Sequence, residues 1–212
     1  MARGWMRGRD GHDGLGQMTG TMLRDYLSAD DGAARAVYEA SFPPSLRAPW
    51  SDLVHHRLDE RFVVLVEGDA AAAADATTVG IALIRRLGDT GMAFVRYLAV
   101  DPTRRDRGLG SQLVAHLREA LRADGIGVLL LDVEKPVGAH AEEDRRRIAF
   151  YERCGLTLLD VPDYAPPEHG ETGEIVPLLL MGEVLDDAAP LTGARLDEAV
   201  RAVLLHRYGV QT

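Results

Sequence analysis

One stretch restricts the fold more than any other: Tyr97-Leu98-Ala99-Val100-Asp101-Pro102-Thr103-Arg104-Arg105-Asp106-Arg107-Gly108-Leu109-Gly110. A β-type run ends at Val100, Asp101-Pro102 turns the chain, and Gly108-Leu109-Gly110 opens directly onto a helix. Over residues 111–124, Leu113, Val114, Leu117, Ala120 and Leu121 recur at helical spacing, and Gly125 is the stop. A strand that passes through a glycine turn into an amphipathic helix needs a sheet with that helix packed on one face. The junction also has a chemistry. Glycines let a ligand approach the backbone, and the first N–H groups of a helix lack intrahelical partners. With the helix dipole and three nearby arginines (Arg104, Arg105, Arg107), those groups can form an anion site. A hydrogen bond to a charged group is worth about 1.5–3 kcal/mol, so several would hold a pyrophosphate without a metal. A bare glycine turn with solvated arginines is the plainer alternative. A dinucleotide fingerprint fails because its third glycine position is Leu113, and a Walker loop fails because no lysine follows Gly110.

Upstream, the pattern predicts a strand over residues 22–27 and a helix capped by Ser28 or Asp30 that runs to about residue 40. Residues 42–49 are proline-rich and irregular, and a second short helix is expected at 55–60. Strands at 61–67, 78–86 and 92–100 are joined by short connections, which favours an antiparallel meander. An alanine-rich turn carrying Asp75 joins the first two, and helix competes there. Downstream, 128–133 (VLLLDV) reads as a strand buried on both faces, and 144–153 as a helix with Ile148 and Tyr151 at i, i+3. Strands at 157–161 and 176–184 flank a Pro/Gly-rich loop. The expected architecture is an α/β sandwich on a mixed, mostly antiparallel sheet of six to seven strands. Residues 1–20, with six glycines, are expected to be a disordered tail, 21–186 one domain, and 190–209 an added helix.

Two motifs carry a resemblance. Arg105-Asp106-Arg107-Gly108-Leu109-Gly110, preceded by LAVDP, resembles motif A of the GNAT superfamily of acyl-CoA-dependent N-acyltransferases. About 40 residues on, RRRIAFYERCGL (145–156) looks like that family's motif B. The resemblance covers about residues 22–184 and implies a GNAT-like sheet whose fourth and fifth strands part near Val100 and Val133. It implies acetyl-CoA as acyl donor, with Leu98, Ala99 and Val100 pairing with the pantetheine arm. Arg105, Asp106, Arg107, Gly108, Leu109, Gly110 and Ser111 would hold the pyrophosphate. It implies direct transfer of an acetyl group to a primary amine in a ternary complex. A catalytically silent CoA-binding module is the alternative, and a nucleotide-phosphate binder of another fold is a further rival.

By the same resemblance Tyr151 is the general acid, since a phenol of pKa about 10 is protonated at neutral pH. An alkyl amine of pKa about 10.4 costs about 4.6 kcal/mol to deprotonate at pH 7, so something must accept its proton. Glu134, at the end of the VLLLDVE strand, is expected as base or ammonium anchor, with Glu39 and Tyr97 as weaker candidates. Asp132 is assigned to the opposite face of that strand. Asp144 stands where many family members carry Asn. The segment 38–44, with Glu39 and Phe42, would close one side of the acceptor site. The loop 162–177, with Tyr164 for stacking, would face it.

Composition narrows the partners. One cysteine, Cys154, excludes an internal disulfide framework and is read as a buried small residue. His55-His56 lack the i, i+4 spacing for one metal ion on a helix, and no metal is expected. A net charge of −9 makes the chain a poor non-specific nucleic-acid binder and favours cationic acceptors by steering. The segment 62–84 is broken by Glu67, Asp69 and Asp75, so no membrane span is expected, and the compartment read from these features is the cytoplasm. The apolar stripe Leu196, Val200, Val203, Leu204 and Tyr208 must find a surface, either on its own domain or on a second subunit. The expectation leans to a two-fold homodimer.

Overall fold

The computed structural model describes residues 20–68, 76–167, 177–186 and 189–210. The expected tail, the alanine-rich turn and most of the 162–177 loop lie outside the described residues. The strands are β1 (Gly20–Asp25), β2 (Glu60–Gly68), β3 (Thr77–Arg86), β4 (Met92–Val100), β5 (Val128–Glu134), β6 (Thr157–Leu158) and β7 (Leu178–Val184). The helices are α1 (Asp31–Ser41), α2 (Trp50–Val54), α3 (Leu109–Ala123), α4 (Ala141–Arg153) and α5 (Gly193–Ala202), the last continued by a π-helical turn, Val203–Arg207. One seven-stranded sheet has the order β1-β2-β3-β4-β5-β7-β6, and every neighbouring pair is antiparallel except β4–β5.

The helices form two layers. On one face α3 (Leu113, Leu117, Leu121) and α4 (Ile148, Tyr151) cover Leu65, Ala82, Val95, Leu129 and Leu131. On the other, α1 and α2 cover Phe62, Val64, Ile81 and Leu83. Further along that second face, α5 and its π turn put Ala199, Ala202 and Val203 against Leu87, Met92, Phe94, Leu130 and Leu180. The C-terminal stripe is therefore spent within the chain: Val203 is fully buried, which is worth about 1.5–3 kcal/mol relative to exposure. Leu196, Val200, Leu204 and Tyr208 remain partly exposed.

Several details differ from the sequence reading, and three have a visible cause. The second helix is Trp50–Val54, not 55–60: Pro49 precedes it with Asp52 in its first turn, and Glu60 begins β2. Asp30 does not cap α1. Its carboxylate accepts from Leu27 N–H (2.8 Å) and holds Arg24 (2.7 Å), pinning the end of β1 instead. β6 stops at Leu158, because Val161 N–H turns back to Leu159 C=O (3.0 Å). Among the described residues no helix is long and apolar enough to cross a membrane.

Candidate active site

β4 and β5 pair only from Met92↔Val128 to Val95↔Leu131, although β4 runs to Val100 and β5 to Glu134. Beyond Leu131 each keeps only its other neighbour: β4 stays on β3, and β5 on β7. The cause is visible in the β3–β4 register. Ile84 opposes Val95 and Leu83 opposes Tyr97, so Arg96 has no partner and forms a bulge, which bends and twists the strand. The bulge falls where the strands part, and a cavity of about 690 Å³ opens there.

One wall is the strand-to-helix junction. Leu98, Ala99 and Val100 line the cavity along the open edge of β4, followed by Arg105, Asp106, Gly108, Leu109, Gly110 and Ser111. Asp106 (φ 64°) and Gly108 (φ 75°) are left-handed, and Gly108 stands as the N-cap of α3 with no side chain to cover the first turn. Gly110 is small for another reason: a Cβ there would lie 3.0 Å from Cζ of Phe150. Arg105 forms no ion pair among the described residues. Arg104 is tied to Glu67, and Arg146 is 3.4 Å from Glu142. Arg107 is exposed and outside the lining.

Tyr151 lines the same cavity, is 8% exposed, and its hydroxyl has no hydrogen-bond partner among the described residues. Burial pushes its pKa up to about 12, against the opposing pull of Arg147, so it is protonated throughout the neutral range. Glu134 also lines the cavity but is bound by Arg147. Asp144 lies beside this pair, 3.9 Å from Arg147, with its pKa raised by burial and by Glu134, and it does not line the cavity.

Asp132 is misassigned in the sequence reading. Residues 132 and 134 are two apart, so an extended strand puts them on one face, and both line the cavity. One oxygen of Asp132 accepts from Tyr164 Oη (2.8 Å) and the other from Tyr208 Oη. Burial raises its pKa to about 6 despite those two hydrogen bonds.

The remaining wall comes from the α1/α5 face. Phe42 and Tyr97 line it, with ring centroids 5.1 Å apart. The Tyr97 hydroxyl is committed, donating to Leu46 C=O (3.1 Å) and accepting from Ala48 N–H (2.9 Å), which anchors the 43–49 loop. Two nominated residues are elsewhere. Glu39 points to solvent from α1 and pairs with Arg35 at 2.8 Å, the i, i+4 partner on the exposed helix face. Tyr164 does not line the cavity; it buttresses Asp132 from behind. Ser41, Arg96, Arg207 and Tyr208 do line it and had not been nominated. Cys154 is partly exposed rather than buried, with its Sγ 3.8 Å from Ser111 Oγ. His55 and His56 bond backbone carbonyls of their own turn. No metal-binding cluster occurs among the described residues.

A parted strand pair over an uncapped helix N-terminus is the architecture of an acetyltransferase fold, and the comparisons agree. The acetyltransferase (GNAT) family model matches residues 28–156, and the chain belongs to that family. Solved structures share the fold at low identity. A GNAT-family acetyltransferase from Bacteroides thetaiotaomicron superposes with a TM-score of 0.69 at 21% identity, covering 90% of this chain and 99% of that one. The spermidine N-acetyltransferase from Vibrio cholerae, in complex with CoA and spermine, gives 0.58 at 13%, covering 78% and 95%. A ribosomal-protein alanine N-acetyltransferase from Escherichia coli gives 0.55 at 19%, covering 82% and 99%. No curated protein sequence matches the chain.

Proposed function

We propose that the protein transfers an acetyl group from acetyl-CoA to a primary amine by direct attack within one cavity. The observation that carries this is the Tyr151 hydroxyl, protonated and without a partner among the described residues, on a cavity that the Gly108–Gly110 turn also lines. The open edge of β4 at Leu98–Val100 offers backbone groups to the amide-bearing arm of CoA, and the first turn of α3 with Arg105 offers N–H groups and charge to its pyrophosphate.

The amine nitrogen attacks the thioester carbon, the C–N bond forms, the C–S bond breaks, and the amine's proton must leave while the sulfur gains one. Asp132 suits the first task. Its pKa of about 6 leaves it ionised at pH 7 yet makes it a better base than an ordinary carboxylate, and it takes the proton directly or through one water. Glu134, the carboxylate expected for that role, is instead engaged with Arg147 and positions that guanidinium beside Tyr151. Tyr151 supplies the hydrogen bond, and then the proton, to the departing sulfur. At about 12 it lies roughly 3.5 units above an ordinary thiol, so the transfer is uphill by about 4.8 kcal/mol and is completed when water reprotonates the phenolate while Asp132 gives the amine's proton to solvent. A silent CoA-binding module would have no use for a protonated, unpartnered hydroxyl and a carboxylate of raised pKa on one cavity. Thiol release from acetyl-CoA across a panel of primary amines tests the reading: amine-dependent release supports it, and CoA binding with no release under any amine would refute it.

A further inference from the structure

The α1/α5 side of the cavity holds more positive charge than transfer chemistry requires. Arg85 gives Nε (2.9 Å) and Nη2 (2.6 Å) to Glu60 Oε1, and Arg96 gives Nη1 to the same oxygen at 2.6 Å. One buried carboxylate thus serves two guanidinium groups. The Nη1 of Arg85 is spent on the carbonyls of His206 (2.9 Å) and Arg207 (3.1 Å), which locks the end of the π turn against the sheet. That lock delivers the Arg207 side chain into the cavity, between the rings of Tyr208 (4.7 Å to the centroid) and Phe94 (5.9 Å).

Arg207 has no ion pair among the described residues. Its Nε, the Nε of Arg96 and the Oγ of Ser41 are buried without hydrogen-bond partners, and all three residues line the cavity. Burial lowers the pKa of Arg207, and Arg96 and Arg85 lower it further, as expected where positive charge is in excess. Of the two β5 carboxylates on the cavity, Glu134 is paired with Arg147 and Asp132 is drawn to Arg207, so the three guanidinium groups Arg85, Arg96 and Arg207 are set against two carboxylates, Glu60 and Asp132. A guanidinium fork matches the planar, bidentate geometry of a carboxylate, and a hydroxyl on the same cavity adds a further donor. Tyr208 links the two ends of the site, lying under Arg207 with its ring and bonding Asp132 with its hydroxyl.

We infer that Arg207, with Arg96 and Ser41, receives a carboxylate of the acceptor, so that the amine acetylated belongs to an amino acid or similar amino-carboxylate and not to a polyamine. This rests on the N-acetyltransferase reading above and deepens it. It runs against the steering expected from the net charge of −9, because at physiological salt a charge acts over about 8 Å, and close to Arg207 the guanidinium groups of Arg85, Arg96 and Arg207 outnumber the carboxylates Glu60 and Asp132.

The test loads the full chain with CoA and titrates it calorimetrically with amino acids and with their amides, pairs that differ by one carboxylate charge. At least one acid should bind tenfold or more tightly than its amide. Arg207→Gln should remove that preference, Arg207→Lys should restore part of it, and CoA affinity should stay within threefold as the control for folding. Amides or diamines binding as well as the acids in the unaltered protein, a preference that survives Arg207→Gln, or no binding by any acid would overturn the inference. Turnover measured in parallel separates the two readings: acids that bind with preference but are never acetylated would refute the transferase and leave the carboxylate site standing. Amides acetylated as fast as acids would do the reverse. Succinyl-CoA matching acetyl-CoA as donor to an uncharged amine would place the carboxylate on the donor and overturn the assignment to the acceptor.

Discussion

Replacing Tyr208 by phenylalanine removes one hydroxyl and should move the pH at which the enzyme becomes active. Asp132 is raised to about 6 by burial, while Tyr208 and Tyr164 each pull it down by donating to the ionised form. A hydrogen bond to a charged group is worth about 1.5–3 kcal/mol, and 1.36 kcal/mol corresponds to one pKa unit. Tyr208→Phe should therefore raise the carboxyl by roughly one to two units, to about 7–8. As the base, Asp132 must be ionised, so activity falls as pH drops through its pKa. The acid limb of kcat/KM should sit near 6 in the unaltered protein and near 7–8 in the variant. At pH 6 the variant should then be about five- to fiftyfold slower, and the loss should shrink by pH 9. The same shift has a stability consequence of known sign. A carboxyl raised from 3.8 to about 6 binds its proton more tightly when folded, so stability declines as pH rises between those values, by on the order of 3 kcal/mol. Tyr208→Phe should extend that decline toward pH 7–8, visible in melts across pH. An acid limb that stays near 6 in Tyr208→Phe would refute Asp132 as the base.

Three further outcomes follow from the geometry. Tyr151→Phe should lower kcat by about a hundredfold or more with little change in the KM for acetyl-CoA, because the ring stays in place and only the proton donor is lost. Steady-state kinetics check this, and near-native turnover would hand the role to water. Arg85→Ala leaves Glu60 with Arg96 as its one guanidinium partner and frees the carbonyls of His206 and Arg207, at a cost of about 3–5 kcal/mol. Melting should fall by roughly 6–20 °C. Truncation after residue 187 should destabilise the protein and abolish acceptor-dependent activity without changing its mass by light scattering, since α5 is docked within its own chain. A halved mass would instead mean that the helix joins two subunits.

The residues proposed for the donor half of the site are legible in the sequence, because they are local. The strand end, the Gly-Leu-Gly turn and the helix start are contiguous, and the Tyr151 helix follows about 40 residues later. The residues proposed for the acceptor half were hidden because they meet only in three dimensions. Arg96 turns toward Glu60 through a bulge that exists only in register with β3, and Glu60, read as the end of a helix, is the buried anchor of two arginines. Arg207 and Tyr208 reach the cavity through contacts with Arg85 and Asp132, more than 70 residues away along the chain. Two signals were available: Asp132 and Glu134 share strand parity, and a cation next to tyrosine at the end of an apolar stripe is carried wherever the stripe docks. Glu39 misled because a carboxylate near the loop was weighed by position, whereas helical phase puts Phe42 on the cavity and Glu39 in water.

The central claim is that the parted strands and the Gly108–Gly110 turn form the acetyl-CoA site. Calorimetric titration of acetyl-CoA into the unaltered chain, Gly108→Val and Gly110→Asp tests it most directly. Gly108 is left-handed at φ 75°, and a side chain at Gly110 would collide with Phe150 and add negative charge where the pyrophosphate is placed. The expected result is one site per chain with a dissociation constant in the micromolar to millimolar range typical of enzyme substrates, weakened by at least a hundredfold in Gly110→Asp, with both variants still folded. Unchanged affinity in both folded variants, or no binding to the unaltered chain, would contradict it.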